Sequence, residues 1–193
     1  MQTRVQSECL LWYELRYGRI TASKLHEASK CQTTSGSLVK QIIGAAKMYE
    51  TKAMERGKVL EKQVFTELTK SGFVIKKCGL LLNSTIPIFG ASPDAIGIDY
   101  VVEIKCPISW KCFKTYIFEN QITNKYKAQI LLQMFAAGKK KGLFCVADPD
   151  FEKNKKIHKL WIEFEEKLLD KLLCDATNFW KNNIYPILIK TFQ

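Results

Sequence analysis

The stretch SPDAIGIDYVVEIKCP, residues 92–107, places charged side chains in an otherwise apolar, strand-like segment. Residues two apart on a strand point to the same face. Glu103 and Lys105 therefore share one face of the predicted strand, and Val102 and Ile104 share the other. A carboxylate beside an ammonium on a strand is also a common surface ion pair, so this pair needs further groups before it indicates a site.

Two further carboxylates could join the pair. Asp94 comes close to Glu103 if the flanking strands pair across the turn at residues 97–100, although a Pro-Asp sequence is also an ordinary turn. Glu61 lies on the apolar stripe of a predicted amphipathic helix. A carboxylate in that position needs either a basic partner or a metal ion. Such carboxylates supply the oxygen ligands that Mg²⁺ or Mn²⁺ requires, and Lys105 would orient the attacking water or stabilise charge on a phosphate.

The composition indicates the kind of substrate. The 193 residues include 30 Lys and Arg against 19 Asp and Glu, which gives a net charge of +11. This excess indicates nucleic acid as a partner, or a lysine-rich composition inherited from an AT-rich genome. Seven scattered cysteines without a C-x-x-C pair predict reduced thiols in an intracellular protein, nuclear or cytoplasmic. No apolar run approaches membrane-spanning length, so we expect no membrane partner.

The order of predicted elements indicates an α/β protein with one central sheet. We expect a single domain over residues 1–193, with the motif-bearing core at about 12–164. Thr21 is the expected N-cap of the second helix, and the helix at 124–138 should end at Gly138. Helices are predicted at 7–18, 21–30, 37–48, 52–72, 124–138 and 165–182, and strands at 73–82, 86–98, 101–107, 141–148 and 156–164.

The motif D-x(8)-E-x-K, following a helix that bears a glutamate, resembles the PD-(D/E)xK nuclease superfamily. The chain is most similar to its YqaJ/lambda-exonuclease family of viral recombination exonucleases, also called alkaline exonucleases. The similarity runs in family order from about Trp12 to Phe164. It implies a restriction-endonuclease-like fold, in which helices flank a central mixed sheet. The matching stretches are LRYGRITAS (15–23), RGKVLE (56–61), ASPDAIG (91–97), EIKCP (103–107) and YKAQILLQM (126–134).

The resemblance also implies roles for particular residues. Two Mg²⁺ or Mn²⁺ ions would be held by four groups, namely Glu61, Asp94, Glu103 and the backbone carbonyl of Ile104. Asp94, Glu103 and Lys105 would carry out catalysis. A pocket for the 5′-phosphate would be formed by Arg16, Ser23, Ser92 and Gln129. Arg19 matches no family position that we expect to be basic, so it is either an additional phosphate contact or a surface charge.

The activity implied is a Mg²⁺-dependent DNA exonuclease. It would digest duplex DNA from the 5′ end to give 5′-mononucleotides and a 3′ single strand, in recombination or in the processing of viral or mobile-element DNA. The partners implied are double-stranded DNA ends, a single-strand annealing protein and further copies of the chain. Two alternatives stay open, namely an endonuclease or resolvase of the same superfamily, and a DNA-binding module without catalysis.

Overall fold

A five-stranded mixed sheet forms the centre of the protein in the computed structural model, which describes residues 3–44 and 51–190. The strands are β1 (Ile20–Thr21), β2 (Lys76–Lys77), β3 (Leu81–Leu82), β4 (Phe89–Ala91), β5 (Ala95–Ile96), β6 (Tyr100–Lys105), β7 (Ile117–Phe118), β8 (Gln121–Ile122), β9 (Lys141–Ala147) and β10 (Ile157–Glu163). The central sheet has the order β10-β9-β6-β5-β2, with β6 and β9 parallel and the other pairs antiparallel. A second sheet has the order β1-β4-β3, and β7 and β8 form a hairpin.

Helices cover the central sheet. They are α1 (Leu10–Glu14), α2 (Leu25–Lys30), α3 (Ser37–Ile42), α4 (Lys52–Lys70), α5 (Trp110–Tyr116), α6 (Asn124–Ala137), α7 (Phe151–Asn154), α8 (Glu166–Asn183) and α9 (Tyr185–Lys190). Helix α6 ends where the sequence predicts, at Gly138, whose φ of 63° is a left-handed conformation that glycine adopts without steric cost. No helix within the described residues is long and apolar enough to cross a membrane.

Strand β6 lies between two hydrophobic clusters. Val102 and Ile104 pack with Leu60 and other residues of α4 on one face, and Val101 packs with residues of α6 on the other. The predicted alternation along this strand is therefore confirmed. Full burial of an aliphatic side chain such as Leu60 stabilises the fold by about 1.5–3 kcal/mol, so these contacts fix the strand firmly.

Two of the predicted strands are each divided into two shorter strands in the structure. The predicted strand at 73–82 is divided between β2 and β3, which belong to different sheets. The predicted strand at 86–98 is interrupted at Ser92 and Pro93, and its two parts also join different sheets. Proline has no N–H to donate to a ladder, which explains the interruption. The prediction of one central sheet flanked by helices is confirmed.

The N-terminal helices also differ from the prediction. The helix predicted at 7–18 is reduced to α1. Thr21 stands at the N-cap position of a 3₁₀ turn, Ala22–Lys24, that leads into α2, but its side chain makes no capping hydrogen bond. The Thr21 hydroxyl lies 3.2 Å from the Ser23 hydroxyl, and Ser23 belongs to a 3₁₀ turn rather than to the first turn of α2. The helix predicted at 37–48 is α3, and its predicted last residues lie outside the described residues.

Candidate active site

The β5–β6 hairpin brings Asp94 to the strand that carries Glu103. Ala95 pairs with Val102, and the Asp94 amide donates to the Val102 carbonyl at 3.1 Å. The Asp94 Oδ2 atom accepts a hydrogen bond from the Ile104 amide at 2.6 Å, which fixes the carboxylate beside β6. The predicted proximity of Asp94 to this strand is therefore observed.

Glu103 is a buried carboxylate with three donors. Its side chain is only 3% exposed. Its Oε1 atom accepts from Lys105 Nζ at 2.6 Å and from Gln129 Nε2 at 2.5 Å, while Oε2 accepts from Gln133 Nε2 at 2.6 Å. These donors compensate the loss of hydration that a buried carboxylate suffers. Gln129 thus contacts Glu103, and Gln133 belongs to the same site although no role was predicted for it.

Lys105 is a fixed positive charge in this site. Burial alone would lower the pKa of its ammonium, but the charges of Glu103 and Asp94 and the hydrogen bond to Glu103 outweigh burial and raise that pKa. The ammonium also lies 5.5 Å from the centre of the Tyr126 ring. The neighbouring carboxylates thus favour the protonated form of Lys105.

The three acidic side chains repel one another. Burial raises the pKa of Asp94 well above its ordinary value, and the charges of Glu103 and Glu61 raise it further. Burial also raises the pKa of Glu61, followed by the charge of Glu103. Glu61 is half-buried on the face of α4 that carries Val64, Phe65 and Leu68, as predicted. Mutual repulsion of this kind is relieved by a cation bound among the carboxylates.

The donor set therefore has the chemistry that Mg²⁺ or Mn²⁺ selects, namely carboxylate oxygens in a negatively charged cleft. Within residues 3–44 and 51–190, no three acidic, histidine or cysteine side chains form a ready-made ligand cluster. The hydrogen bonds explain this, because both oxygens of Glu103 point to protein donors and one oxygen of Asp94 points to a backbone amide. Binding of an ion would exchange some of these contacts.

A cavity of about 170 Å³ connects the carboxylates to the predicted phosphate pocket. Its lining includes Asp94 and Glu103 together with Arg16, Ser23, Ser92 and Gln129. All four residues of the phosphate pocket implied by the resemblance therefore meet in one cavity with two of the three carboxylates.

Arg16 is the most unusual group in this cavity. Its guanidinium stacks on the Trp12 ring at 3.7 Å, and the Trp12 Nε1 atom donates to the Ser92 hydroxyl at 2.9 Å. Burial lowers the pKa of Arg16, with a smaller opposing effect from Tyr13. Among the described residues the guanidinium has no carboxylate partner and no hydrogen-bond acceptor. Its donors are therefore not committed to a protein anion among the described residues, and a guanidinium is a strong donor to carboxylate or phosphate groups.

Arg19 lies apart from this cavity. Its Nε atom donates to the Pro87 carbonyl at 2.9 Å and its Nη1 atom donates to the Leu15 carbonyl at 2.8 Å. It lines a neighbouring cavity that shares the Arg16 side chain. The structure thus separates Arg19 from the other predicted phosphate ligands and gives it two contacts that hold the backbone together.

A second, cation-rich cavity lies on the other side of the carboxylates. It has a volume of about 110 Å³ and shares Asp94 with the first cavity. Its lining includes Asp94 and Glu61 together with the basic residues Arg4, Lys58, Lys62 and Lys77. Asp94 therefore stands between a cavity that contains Arg16 and a cavity bordered by four basic side chains.

Two further residues, for which no role was predicted, support the site. Trp12 connects Arg16 to Ser92 as described above. Arg56 donates to the Pro107 carbonyl at 3.2 Å and to the Pro149 carbonyl at 3.1 Å, and it forms an ion pair with Glu152 at 2.7 Å. Arg56 occurs in the stretch RGKVLE and Gln133 in the stretch YKAQILLQM, so the family motifs could have pointed to both, whereas no motif included Trp12.

Comparisons with known proteins agree with this geometry. The family model of the YqaJ-like viral recombinase domain matches residues 11–140. The alkaline nuclease of Human herpesvirus 7 (strain JI) is 32% identical over 94 residues, which are 49% of this chain. The chain spans about a fifth, 19%, of the length of that relative.

Solved structures give the same result for the fold. An alkaline exonuclease, LHK-Exo from Laribacter hongkongensis, superimposes with a TM-score of 0.76 at 25% identity, over 94% of this chain and 97% of that chain. A phage-related exonuclease from Haemophilus somnus 129PT superimposes with a TM-score of 0.66 at 18% identity, over 93% of this chain and 99% of that chain. These similarities confirm the predicted PD-(D/E)xK fold.

Proposed function

Because the chain belongs to the family of YqaJ-like viral recombinase domains, we propose that it is a divalent-metal-dependent deoxyribonuclease that digests one strand of duplex DNA from the 5′ end. The products would be 5′-mononucleotides and a 3′ single strand, which a single-strand annealing protein could take up. The proposal includes the role of Asp94, Glu103 and Lys105 in catalysis and that of Arg16, Ser23, Ser92 and Gln129 in binding the terminal phosphate.

The observation that carries the proposal is the pairing of opposite charges across two cavities that share Asp94. Arg16 is a partly buried cation without a protein anion, while Asp94 and Glu61 are acidic groups whose repulsion calls for a cation. A DNA end with a 5′-phosphate and a divalent ion supply both missing charges. A surface that only bound DNA would not need mutually repelling carboxylates beside its basic residues.

Glu61, Asp94, Glu103 and the Ile104 carbonyl would hold two Mg²⁺ or Mn²⁺ ions, which supply the Lewis acid that activates water and neutralises charge on the phosphate. The protein's own contribution is positional. The Ile104 amide fixes Asp94, and the three donors described above fix Glu103. Lys105, whose protonated form these carboxylates favour, directs its charge toward the phosphate undergoing attack.

The reaction would be an in-line displacement. Water attacks the phosphorus, the bond to the 3′-oxygen of the terminal nucleotide breaks, and the following nucleotide retains the phosphate on its 5′ end. This new 5′-phosphate is the group that Arg16 requires, so each cycle creates the end that the next cycle recognises. Ser23 and Ser92 would contribute hydroxyl groups to the same phosphate.

The rest of the bound strand would continue from the site past the cation-rich cavity. Asp94 lies in both cavities, so a strand with its scissile phosphate at Asp94 and its 5′-phosphate at Arg16 continues toward Lys62 and Lys77. Basic side chains bordering this side favour a phosphate backbone, in keeping with the net charge of +11.

The direct experiment compares DNA ends. Linear duplex DNA carrying a 5′-phosphate, the same duplex with a 5′-hydroxyl, and a covalently closed circle are incubated with the protein and Mg²⁺. We expect mononucleotides from the phosphorylated duplex, slower release from the hydroxyl end and no cleavage of the circle. Separate labels on the 5′ and 3′ ends report the direction of digestion.

The outcomes separate the candidate functions. Cleavage of the circle at a rate equal to that of the linear duplex would favour an endonuclease of the same superfamily. Binding of DNA without release of nucleotides in Mg²⁺ or Mn²⁺ would favour a non-catalytic module. Loss of activity in EDTA, with recovery after Mg²⁺ is restored, would establish the metal requirement.

A further inference from the structure

Gln133 occupies a special position relative to Glu103. It follows Gln129 by one helical turn on α6, so the two side chains lie on the same face of the helix. Gln133 is fully buried, with 0% exposure, and its Nε2 atom donates to Glu103 Oε2 at 2.6 Å. Gln129 and Gln133 therefore bind different oxygens of one carboxylate, and they prevent its rotation.

The orientation of the Gln133 amide is fixed by this contact. An ionised carboxylate oxygen only accepts hydrogen bonds, so the NH₂ group must face Glu103 and the carbonyl oxygen must face away. That Oε1 atom is buried and has no hydrogen-bond partner among the described residues. Gln133 also lines the cavity that contains Asp94 and Glu103. A buried acceptor without a donor in such a cavity indicates a ligand that brings the donor.

The missing donor cannot be a phosphate diester, because its oxygens carry no hydrogen. A water molecule bound to a divalent ion is a strong O–H donor, and Mg²⁺ in proteins usually retains several waters. Two of the three carboxylates that would hold such an ion, Asp94 and Glu103, line the same cavity as Gln133. Among the groups that the proposed reaction brings to this cavity, the hydration shell of the ion supplies such a donor.

We propose that Gln133 is a positioning residue for metal binding, which holds Glu103 with its NH₂ group and accepts a hydrogen bond from a metal-bound water with its carbonyl oxygen. This inference rests on the proposed function, because it presupposes a divalent ion among Glu61, Asp94 and Glu103. It adds a residue that neither the motifs nor the resemblance assigned. Residues that orient metal ligands in this way commonly change metal affinity by about 10–100-fold when they are replaced.

The test is the substitution Gln133→Met, which retains the length of the side chain and removes both polar groups. Binding of Mn²⁺ to the full chain is measured by titration calorimetry in the absence of DNA. We expect the dissociation constant to rise by about 10–100-fold. Leu132→Met is the matched control, because Leu132 is the preceding residue of α6, is also buried and receives the same side chain. This control should bind Mn²⁺ as the wild type does.

A second variant covers the case in which Gln133→Met does not fold. Gln133→Glu keeps an acceptor for the metal-bound water but places a carboxylate against Glu103. Its melting temperature without metal should fall, and saturating Mn²⁺ should raise that temperature by more than it does in the wild type. A role in packing alone predicts an equal rise for both proteins.

The failures of the two proposals are distinguishable. If the wild type binds Mn²⁺ and Gln133→Met binds it with the same dissociation constant, the inference about Gln133 is wrong while the proposed nuclease function stands. If the wild type binds no Mn²⁺ and releases no nucleotides, both proposals are wrong. An effect of Gln133→Met that appears only in the presence of DNA would also overturn the inference, because it would assign the orphan acceptor to a nucleotide donor.

Discussion

The cavity that contains Arg16 and Glu103 has two ends, and the charged side chains at these ends differ in whether the protein supplies their partners. At one end, Glu103 is buried with donors from Lys105, Gln129 and Gln133. At the other end, Arg16 is partly buried against Trp12 and has no acceptor among the described residues. The protein therefore supplies the hydrogen-bond donors for Glu103 itself, whereas the guanidinium of Arg16 has no protein acceptor among the described residues and can bind a ligand.

The difference shows which part of the site exists before substrate binds. Glu103 is held in place by rigid elements, since β6 and α6 both belong to the core. Arg16 follows the short helix α1 and is held mainly by stacking on an aromatic ring. We infer that the strand and helix at the carboxylate end are in place before an ion binds, while some side-chain hydrogen bonds there would be exchanged. By contrast, the phosphate end would gain its partner from the DNA.

The largest expected effect follows from Glu103→Gln, which breaks the carboxylate end. The amide removes the negative charge and places an NH₂ group against existing donors. We expect the rate of nucleotide release to fall on the order of 10³-fold, with DNA binding retained in EDTA. Glu163→Gln, at an exposed position of β10, is the control and should cleave normally. Full activity of Glu103→Gln would place the active site elsewhere.

Lys105→Met tests the electrostatic role of the ammonium. Because the neighbouring carboxylates favour the protonated form of Lys105, removal of this charge should lower kcat by about 10²–10³-fold and change KM little. Steady-state kinetics on 5′-phosphorylated duplex checks this, with Lys171→Met on α8 as an exposed control. A large rise in KM with an unchanged kcat would show that Lys105 only binds DNA.

Arg16→Met tests the phosphate end of the cavity, where the guanidinium has no protein acceptor among the described residues. Charge-assisted hydrogen bonds contribute about 1.5–3 kcal/mol, so the preference for a 5′-phosphate over a 5′-hydroxyl should fall by about 10–150-fold. The free energy of unfolding should not fall, because Arg16 has no polar partner to lose among the described residues. An unchanged end preference would refute the assignment.

Arg19→Met provides the comparison within the same region. This substitution removes hydrogen bonds to the Leu15 and Pro87 carbonyls, so the free energy of unfolding should fall by about 1–3 kcal/mol. Denaturation by urea measures both variants. Equal stability of Arg16→Met and Arg19→Met would contradict the distinction that the hydrogen bonds draw between these two arginines.

The smallest effect concerns repulsion among the carboxylates. The pKa of Glu61 is raised in the folded protein, so its ionisation destabilises the fold. In EDTA, stability is therefore retained below the ordinary pKa of a glutamate and lost as the pH rises through the unfolded-state pKa toward the folded-state pKa. The variant Glu61→Gln has no carboxyl group at this position to ionise, so it should lose less stability than the wild type between pH 4 and pH 8. The measurements are taken at intervals of about one pH unit. Thermal melting at each pH checks this, and a steeper loss in the variant would contradict it.

The core of the site was predictable because its signals are local. Alternation along a strand placed Glu103 beside Lys105, and one turn placed Asp94 on the paired strand. The restriction-endonuclease-like fold followed from the order of five motifs. Glu61 was assigned to the helix that carries it, on the face that includes Val64, Phe65 and Leu68.

The supporting residues were not predictable because their contacts are distant in sequence. Trp12 bonds Ser92 across 80 residues, and Gln133 bonds Glu103 across 30. Thr21 precedes a 3₁₀ turn instead of α2 itself, and its pairing with Gly90 of β4 is likewise a contact between residues distant in sequence. Composition and periodicity carry no information on such pairs.

A crystal structure with Mn²⁺ and a 5′-phosphorylated oligonucleotide tests the central claim most directly, because anomalous scattering locates the ions. Opposite charges across the two cavities that share Asp94 predict Mn²⁺ bound by Glu61, Asp94 and Glu103, and a terminal phosphate on the guanidinium of Arg16. Mn²⁺ bound away from these carboxylates, or a 5′-phosphate bound away from Arg16, would contradict the account.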